Sequence, residues 1–249
     1  MKLTDTTPYN NSRFKIKLYD WDLFMGPAAG DAAPEFTVTD LETNVPVKLS
    51  EFGGKWIVIE TGSSTCSMYT KNIPGMEALR AEHTDVEFIV IYVREAHPGE
   101  RLHQHRNVEE KIAAARLLKP RYNENRRILV DGHAGGFHQP YGMKPNLIYV
   151  IRPDGTVHYR CDWANVDGLR EVLADRDRLH TNEHADMEKL HATRGMGIAI
   201  RTMWTGGFIA LWDFFAAGPE LVKRHKLEDV YYHEHGRFKN QRKSTPSRS

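Results

Sequence analysis

The sequence predicts an α/β protein with a mixed central sheet, helices on both faces and a C-terminal helical extension. Short apolar, β-branched runs alternate with segments of helical periodicity, and the longest run is residues 86–93. Strands separated by helices pair in parallel, whereas Pro153-Asp154-Gly155 predicts a hairpin that adds antiparallel strands. The sequence therefore predicts a sheet with parallel and antiparallel strands, covered by helices on both faces.

The elements can be placed in chain order. Residues 35–40 alternate as a short strand does, and residues 47–52 form a second strand and turn. The further predicted strands are residues 56–59, 86–93, 128–130, 146–151 and 156–161. The predicted helices are residues 66–82, kinked by Pro74, then residues 107–118 and 166–173.

We divide the chain into four parts. Residues 1–29 are a lead-in that ends in small residues typical of a linker, and residues 30–175 form the α/β domain. Residues 176–236 are a helical and aromatic extension. Residues 237–249 hold five Lys or Arg and no acidic residue, so we expect them to be disordered.

The composition excludes several classes of protein. Lys and Arg number 34 and Asp and Glu 33, so no basic excess indicates nucleic acid as a partner. Two cysteines in 249 residues cannot form a disulfide framework, and they suit a reducing compartment. Residues 1–19 lack a secretory signal, and Arg201 and Asp213 interrupt the most apolar stretch, residues 195–218. We therefore expect a cytoplasmic location.

Cys66 is the predicted reactive residue. It follows a buried strand and a polar loop and would begin a helix, where free N–H groups and the helix dipole lower the pKa of a thiol. Thiolate is the attacking species in disulfide exchange, peroxide reduction and halogen abstraction. Ser63 and Thr65 can add hydroxyl donors to the sulfur. The alternative is a buried, inert cysteine, which the predicted exposure of this loop argues against.

Several motifs resemble the redoxin superfamily, which includes peroxiredoxins, glutathione peroxidases and thioredoxin-like proteins. Residues 30–36, Gly-Asp-Ala-Ala-Pro-Glu-Phe, and residues 49–56, Leu-Ser-Glu-Phe-Gly-Gly-Lys-Trp, resemble its opening. Pro74, eight residues after Cys66, resembles the helix-kinking proline of thioredoxins. Pro145 resembles their cis-proline beside the active site. The resemblance implies a thioredoxin-like fold.

Within that superfamily, three blocks resemble the iodothyronine deiodinases. Residues 62–66, Gly-Ser-Ser-Thr-Cys, are similar to the family's catalytic loop, with cysteine in place of selenocysteine. Residues 91–98, Ile-Tyr-Val-Arg-Glu-Ala-His-Pro, are similar to its tyrosine-acid-acid-alanine-histidine-proline block. Residues 104–116 resemble the helix start that follows. The matched region is roughly residues 30–175, and homodimerisation is a further expectation from the family.

The resemblance also implies roles. Cys66 would attack the halogen of a small aromatic, iodophenol-type substrate, and an external thiol or thioredoxin-type reductant would regenerate it without a bound cofactor. His97 would bind the substrate phenol. The residues implied to relay protons are Ser63, Tyr92, Glu95 and His105.

The sequence departs from the family at several points. Selenium is absent and the loop between His97 and His105 is shorter, and we expect no counterpart of the animal enzymes' membrane anchor. Asn146 occupies a position where the family has an acidic residue. Trp163 lies near the position of the family's arginine that binds the substrate carboxylate. Pro145, Asn146 and Trp163 are accordingly expected on the substrate side, and thyroid hormone as the natural substrate is left open.

Cys161 could act with Cys66. The strand at residues 146–151 would start beside Cys66, and the following hairpin would return the chain to that edge. Cys161 could then resolve an oxidised Cys66 as a disulfide. The alternative is a half-buried apolar cysteine at a strand end.

The C-terminal extension carries two further patterns. His180 and His184 are four residues apart on a predicted helix, but no third ligand has suitable spacing, so we expect a solvated face and no metal centre. An aromatic cluster could cap the active site, form a dimer contact or lie on a membrane surface, and we expect it to pack against the domain. Its members are Phe208, Trp212, Phe214 and Phe215.

Two alternatives to a deiodinase-like enzyme stay open. A peroxiredoxin-like thiol peroxidase would need Pro-x-x-x-Thr-x-x-Cys, which here begins with Ile59 and has Ser63 for threonine. The thioredoxin Cys-x-x-Cys pattern also fails, because Tyr69 occupies the second position. A non-catalytic module could instead bind a partner through residues 195–235. The pKa of Cys66 would discriminate, because either enzyme predicts a thiol that alkylates rapidly at neutral pH.

Overall fold

The computed structural model describes residues 9–241, apart from the side chains at positions 188 and 192–194. Within this range the strands form one seven-stranded sheet. The strands are β1 (Thr37–Asp40), β2 (Pro46–Lys48), β3 (Trp56–Gly62), β4 (Val86–Tyr92), β5 (Arg127–Val130), β6 (Ile148–Ile151) and β7 (Val157–Cys161). Their order in the sheet is β2-β1-β5-β4-β3-β6-β7.

Helices flank the sheet and continue beyond it. Those of the α/β domain are α1 (Ser67–Thr70), α2 (Ile73–Glu82), α3 (Val108–Ala115), α4 (Leu118–Tyr122) and α5 (Val166–Ala174). Those of the extension are α6 (Met187–Arg194), α7 (Met196–Gly206) and α8 (Phe208–His235).

The predicted mixed sheet and thioredoxin-like fold are confirmed. Strand β4 pairs in parallel with both β3 and β5, whereas β6 is antiparallel to β3 and β7. Side chains alternate across each strand, so Val58 and Val90 pack into one apolar core with α2 and α5, while Ile57 and Ile89 pack into the other. Burial on both faces explains the continuous apolar run over β4.

The predicted single helix at residues 66–82 is wrong in detail. The chain forms α1, breaks, and resumes as α2 with Pro74 in the first turn. Proline is well accommodated there, because first-turn N–H groups have no partner inside the helix. Pro74 therefore helps to start a helix and does not kink one.

The lead-in is packed onto the domain, which corrects its interpretation as a linker. Phe14, Trp21 and Phe24 are buried. The Trp21 indole N–H donates to the Ile16 carbonyl at 3.0 Å. The described part of this segment, residues 9–29, therefore contributes to the folded core.

The C-terminal extension differs from expectation in three places. Residues 175–186 are not helical, and His184 is buried, so the predicted solvated histidine face is wrong. Of the four aromatic residues, Phe214 is 6% exposed, whereas Phe208, Trp212 and Phe215 are 49–61% exposed. Phe238 is buried, so disorder from residue 237 onward is wrong for residues 237–241. Residues 242–249 lie outside the described range.

Across residues 9–241, no helix combines the length and the apolarity that crossing a bilayer requires.

Candidate active site

Cys66 lies between the end of β3 at Gly62 and the start of α1 at Ser67. It is the N-cap residue of α1 and has an extended backbone, with φ −96° and ψ 104°. Its N–H donates to the Ser63 carbonyl at 3.1 Å, and its carbonyl accepts from the Thr70 N–H at 3.0 Å. This turn places the sulfur at the carboxyl edge of the parallel strands, where open α/β sheets collect ligands.

The chain that follows β4 supplies the acidic residue of the site. In the parallel pair, Gly62 at the end of β3 lies opposite Tyr92 at the end of β4, so the two loops are neighbours. The Glu95 carboxylate accepts from the Thr65 hydroxyl at 2.6 Å and from the Thr65 N–H at 3.0 Å. It also accepts from the Tyr92 hydroxyl. Glu95 therefore ties the Cys66 loop to the neighbouring strand.

Burial and these contacts set the protonation states. Burial, reinforced by the charge of Glu95, raises the pKa of Tyr92 well above its ordinary value, so the phenol stays protonated and donates. Burial alone would raise the pKa of Glu95, but contacts with His105, Thr65 and Tyr92 outweigh it and lower that pKa. Glu95 is therefore a carboxylate at neutral pH.

The other predicted relay residues lie around this carboxylate. His105 Nε2 is 3.4 Å from a Glu95 carboxylate oxygen, and both side chains are almost fully buried. The Ser63 hydroxyl accepts from the Ala96 N–H at 3.2 Å. The predicted relay residues are therefore neighbours in the structure, together with Thr65; they are Ser63, Tyr92, Glu95 and His105.

His97 is held on the same loop and reaches the cavity beside Cys66. Its N–H donates to the Thr65 hydroxyl oxygen at 3.0 Å. Its ring lies 4.3 Å from the Phe14 ring and 5.6 Å from the Phe214 ring, measured between centroids. His97 therefore stands between the Cys66 loop and two aromatic side chains from distant parts of the chain.

Two glycines allow the loop that carries His97 to approach the extension. A Cβ atom on Gly99 would lie 2.4 Å from the Gly206 carbonyl oxygen, and one on Gly206 would lie 2.7 Å from the His97 carbonyl oxygen. The Glu100 carboxylate accepts from the Ile209 N–H at 2.9 Å, at the start of α8, where negative charge is favourable. The loop is fixed against α7 and α8 by this close approach.

Cys66 itself is 3% exposed, which corrects the prediction of an exposed thiol with a lowered pKa. Burial raises its pKa to about 12. The N–H groups of Tyr69 and Met68 lower this pKa, and the charges of Glu60 and Glu95 raise it further. Burial prevails over the few N–H groups of a four-residue helix, so the sulfur is a protonated thiol in this conformation.

A small, partly open cavity of about 30 Å³ adjoins Cys66. Its lining comes from the Cys66 loop, the His97 loop, the lead-in and the extension. The lining residues are Phe14, Tyr19, Trp21, Cys66, Ser67, Met68, Ala96, His97, Pro145, Trp163, His191, Phe214, Leu221 and His225. Ligand pockets usually measure about 300–1,000 Å³, so an aromatic substrate can enter only when this cavity widens.

The three residues predicted on the substrate side differ in their positions. Pro145 and Trp163 line the cavity. The peptide bond before Pro145 is trans, which corrects the expected cis-proline, because residues 9–241 contain no cis peptide bond. Asn146 lies behind the site and donates to Glu60 at 3.0 Å and to the Thr61 carbonyl at 2.9 Å. Its side chain therefore supports β3 and does not face the cavity.

Cys161 is buried at the end of β7, in the same apolar core as Cys66. Both cysteines are free thiols. Burial, followed by the charge of Asp162, raises the pKa of Cys161. Cys161 is absent from the cavity lining formed by the described residues, so the structure gives it no direct approach to a cavity-bound group.

Apart from Phe214, whose aromatic cluster was one possible cap, the sequence did not predict the residues that cover Cys66. Phe14, Tyr19 and Trp21 lie in the segment interpreted as a linker. His191 and His225 come from α6 and α8, and their rings stack with Nε2 of His191 2.8 Å from Nδ1 of His225. The available signal was the density of aromatic residues in the lead-in, which exceeds what a flexible linker carries.

The sheet order and the cysteine at the strand–helix junction define a thioredoxin-like protein. A family model described as iodothyronine deiodinase matches residues 6–175 of the chain. The chain therefore belongs to the iodothyronine deiodinase family, and the resemblance of its motifs to that family is confirmed.

Individual proteins agree with this assignment. The chain is 29% identical over 176 residues to thyroxine 5-deiodinase from Sus scrofa, covering 64% of this chain and 57% of that protein. It is 26% identical over 189 residues to thyroxine 5-deiodinase from Rattus norvegicus, covering 70% and 58%. The chain thus spans little more than half the length of these relatives. A solved structure of an uncharacterized conserved protein from Geobacillus kaustophilus shares the fold, with TM-score 0.50, 14% identity and coverage of 63% of this chain and 87% of that one.

Proposed function

We propose that the protein is a cysteine-dependent reductive dehalogenase that removes iodide from a small aromatic substrate. The observation that carries this proposal is the position of Cys66 and His97 on one aromatic-lined cavity, where the Thr65 hydroxyl joins the two loops by donating to the Glu95 carboxylate and accepting from the His97 N–H. Family membership supports the same chemistry. The relatives' name makes thyroxine a suitable probe.

The reaction balances on Cys66 and two external thiols. The sulfur forms a bond to iodine as the carbon–iodine bond breaks, and the ring carbon gains the proton that the thiol gives up. The sulfur is oxidised by two electrons to a sulfenyl iodide, and the ring is reduced. One external thiol displaces iodide with loss of a proton and leaves a mixed disulfide, and a second thiol releases Cys66 as a thiol.

The buried polar groups suit the proton transfers. Glu95 is ionised and can accept a proton, while the neutral Tyr92 phenol orients this carboxylate by donating a hydrogen bond to it. His105 next to Glu95 extends the path. We assign to His97, which lines the cavity, the contact with a phenol group of the substrate.

The cavity lining favours an aromatic substrate. Trp21, Trp163, Phe14 and Phe214 offer ring faces and edges for stacking. A small thiol or a thioredoxin-type protein is the proposed reductant, with no bound cofactor. A homodimer and a cytoplasmic location complete the proposal, and neither contributes a residue to the reaction.

The test is iodide release from thyroxine with dithiothreitol, by wild type, Cys66→Ser and the matched control Cys161→Ser. We expect release by wild type and by Cys161→Ser, and a loss of at least about 10³-fold in Cys66→Ser, since the nucleophile is removed. Peroxide consumption by folded wild type without iodide release would replace the proposal with a thiol peroxidase. Inactivity of folded wild type in both assays would favour a non-catalytic binding module.

A further inference from the structure

A buried cluster outside the cavity joins the α/β domain to the C-terminal extension. It contains Asp162, which follows β7, His184, which precedes α6, and Glu228, on α8; all three are less than 10% exposed. One potential ligand atom from each residue lies within 4.8 Å of the other two. One imidazole nitrogen with two carboxylate oxygens is a donor set that suits zinc, manganese or ferrous iron.

One oxygen of the cluster lacks a partner. Glu228 Oε1 lies 3.3 Å from Lys144 Nζ, whereas Glu228 Oε2 is buried and accepts no hydrogen bond. The Glu228 side chain is only 4% exposed, so water does not compensate this oxygen. A buried carboxylate oxygen without a donor is costly, and it points to a missing positively charged ligand.

The two ring nitrogens of His184 each lie next to a carboxylate. Its Nε2 lies 2.7 Å from Asp229 Oδ1, and its Nδ1 lies 2.9 Å from Asp162 Oδ2. Asp229 Oδ1 is itself fixed by the Met187 N–H at 3.1 Å. Both distances are those of hydrogen bonds, so without an ion both ring nitrogens donate to carboxylates. A bound ion would take the place of the Nδ1 proton while Nε2–H still donates to Asp229, which gives the carboxylate–histidine–metal arrangement of protein metal sites.

We propose that Asp162, His184 and Glu228 bind one divalent first-row transition metal ion that fastens the extension to the domain. The ion would enter between His184 Nδ1 and Asp162 Oδ2, and tetrahedral coordination would set the ligand atoms about 3.3 Å apart. Lys144 would stay on the other Glu228 oxygen, and Asp229 would orient the imidazole.

This site adjoins the cover of Cys66. Trp163 directly follows Asp162, and His225 lies about one helical turn before Glu228; both line the cavity. A bound ion would therefore hold two cavity-lining side chains in place. The proposal replaces the expectation of no metal centre.

The test is equilibrium dialysis of metal-free, full-length protein against zinc chloride. We expect one zinc ion per chain, and affinity weakened at least about tenfold in Glu228→Gln and Asp162→Asn, since each loses a charged ligand. Cobalt absorption should indicate nitrogen and oxygen ligands without a thiolate band. The controls are Cys66→Ser, Cys161→Ser and the exposed pair His233→Gln/His235→Gln, all of which should retain the ion.

If folded wild type does not bind one zinc ion per chain, the proposed site is wrong. It is also wrong if the His233/His235 double variant loses zinc while Asp162→Asn and Glu228→Gln retain it. A second readout tests the fastening role. Zinc should slow iodoacetamide alkylation of Cys66 in wild type but not in Glu228→Gln. Equal rates with and without bound zinc would overturn that part of the proposal.

Discussion

Two regions of different character hold Cys66. The network of Thr65, Tyr92, Glu95 and His105 at the sheet edge is polar, hydrogen-bonded and encoded in short sequence blocks. The cover comes from the lead-in and the extension, and its contacts with the sulfur's cavity are mainly aromatic and apolar. The cover residues are Phe14, Tyr19, Trp21, His191, Phe214, Leu221 and His225. The network therefore orients the Cys66 loop, whereas burial under the cover raises the pKa of the Cys66 thiol and keeps it protonated.

The largest expected effect is the pH dependence of Cys66 alkylation, measured in Cys161→Ser so that one thiol reacts. With burial raising the pKa of Cys66 to about 12, the thiolate fraction grows tenfold per pH unit, so the rate should rise about 10³-fold from pH 7 to pH 10. A plateau below pH 8 would contradict this expectation and would mean that the network, not the cover, sets the pKa.

The same shift has a consequence for folding. The unfolded chain has an ordinary thiol pKa of about 8.5, so its thiol ionises at a lower pH than the thiol of the folded protein. The stability contributed by the buried thiol is therefore complete below that pH and is lost as the pH rises toward about 12. Comparing the alkaline stability loss of wild type with that of Cys66→Ser would measure it.

The network could be predicted from sequence because regular strand pairing brings its residues together, although Thr65 and Glu95 are 30 positions apart. Parallel neighbours β3 and β4 end at one sheet edge, so Cys66 and Glu95 had to be close. The buried His184 and most of the cover could not, since these residues lie outside the sheet: residues 175–186 are not helical, and the cover comes from the lead-in and the extension. The break between α1 and α2 was also missed, because a proline such as Pro74 fits the first turn of a new helix as well as a kink within one helix.

The next largest expected effect is that of Glu95→Gln on iodide release, which tests the polar network without changing the cover. The amide keeps the shape but removes the negative charge that accepts from Thr65 and Tyr92 and lies beside His105. We expect iodide release to fall about 10²-fold, as loss of a proton relay commonly causes. The matched control is Glu109→Gln on the exposed face of α3, which should retain activity. An active, folded Glu95→Gln protein would exclude the carboxylate from the relay.

Phe14→Ala tests the cover alone. Phe14 is 8% exposed and packs against the His97 ring, so truncation removes part of the cavity wall and loosens the lead-in. We expect Cys66 alkylation at pH 7 to become about tenfold faster, because opening becomes less costly. The control Phe208→Ala removes a ring that is 61% exposed and should leave the rate unchanged. Equal acceleration in both variants would point to general destabilisation.

The smallest effect concerns the ion pair that joins the two halves of the cover. Arg13 in the lead-in donates through Nε to Asp213 on α8 at 2.9 Å, and the Arg13 side chain is 48% exposed. Exposed pairs contribute little, so Arg13→Gln should accelerate alkylation only about two- to fivefold at low salt. Arg80→Gln, which breaks an exposed pair with Glu77 on α2, is the matched control and should have no effect.

The salt dependence of the Cys66 alkylation rate tests whether the Arg13–Asp213 ion pair holds the cover closed. Raising the sodium chloride concentration screens exposed charges, so wild type should approach the rate of Arg13→Gln while the variant stays unchanged. If both proteins instead respond equally to salt, the ion pair does not hold the cover closed. Closure would then rest on aromatic packing alone, and the Phe14→Ala effect would measure the share of Phe14 in the protection of Cys66 that the lead-in provides.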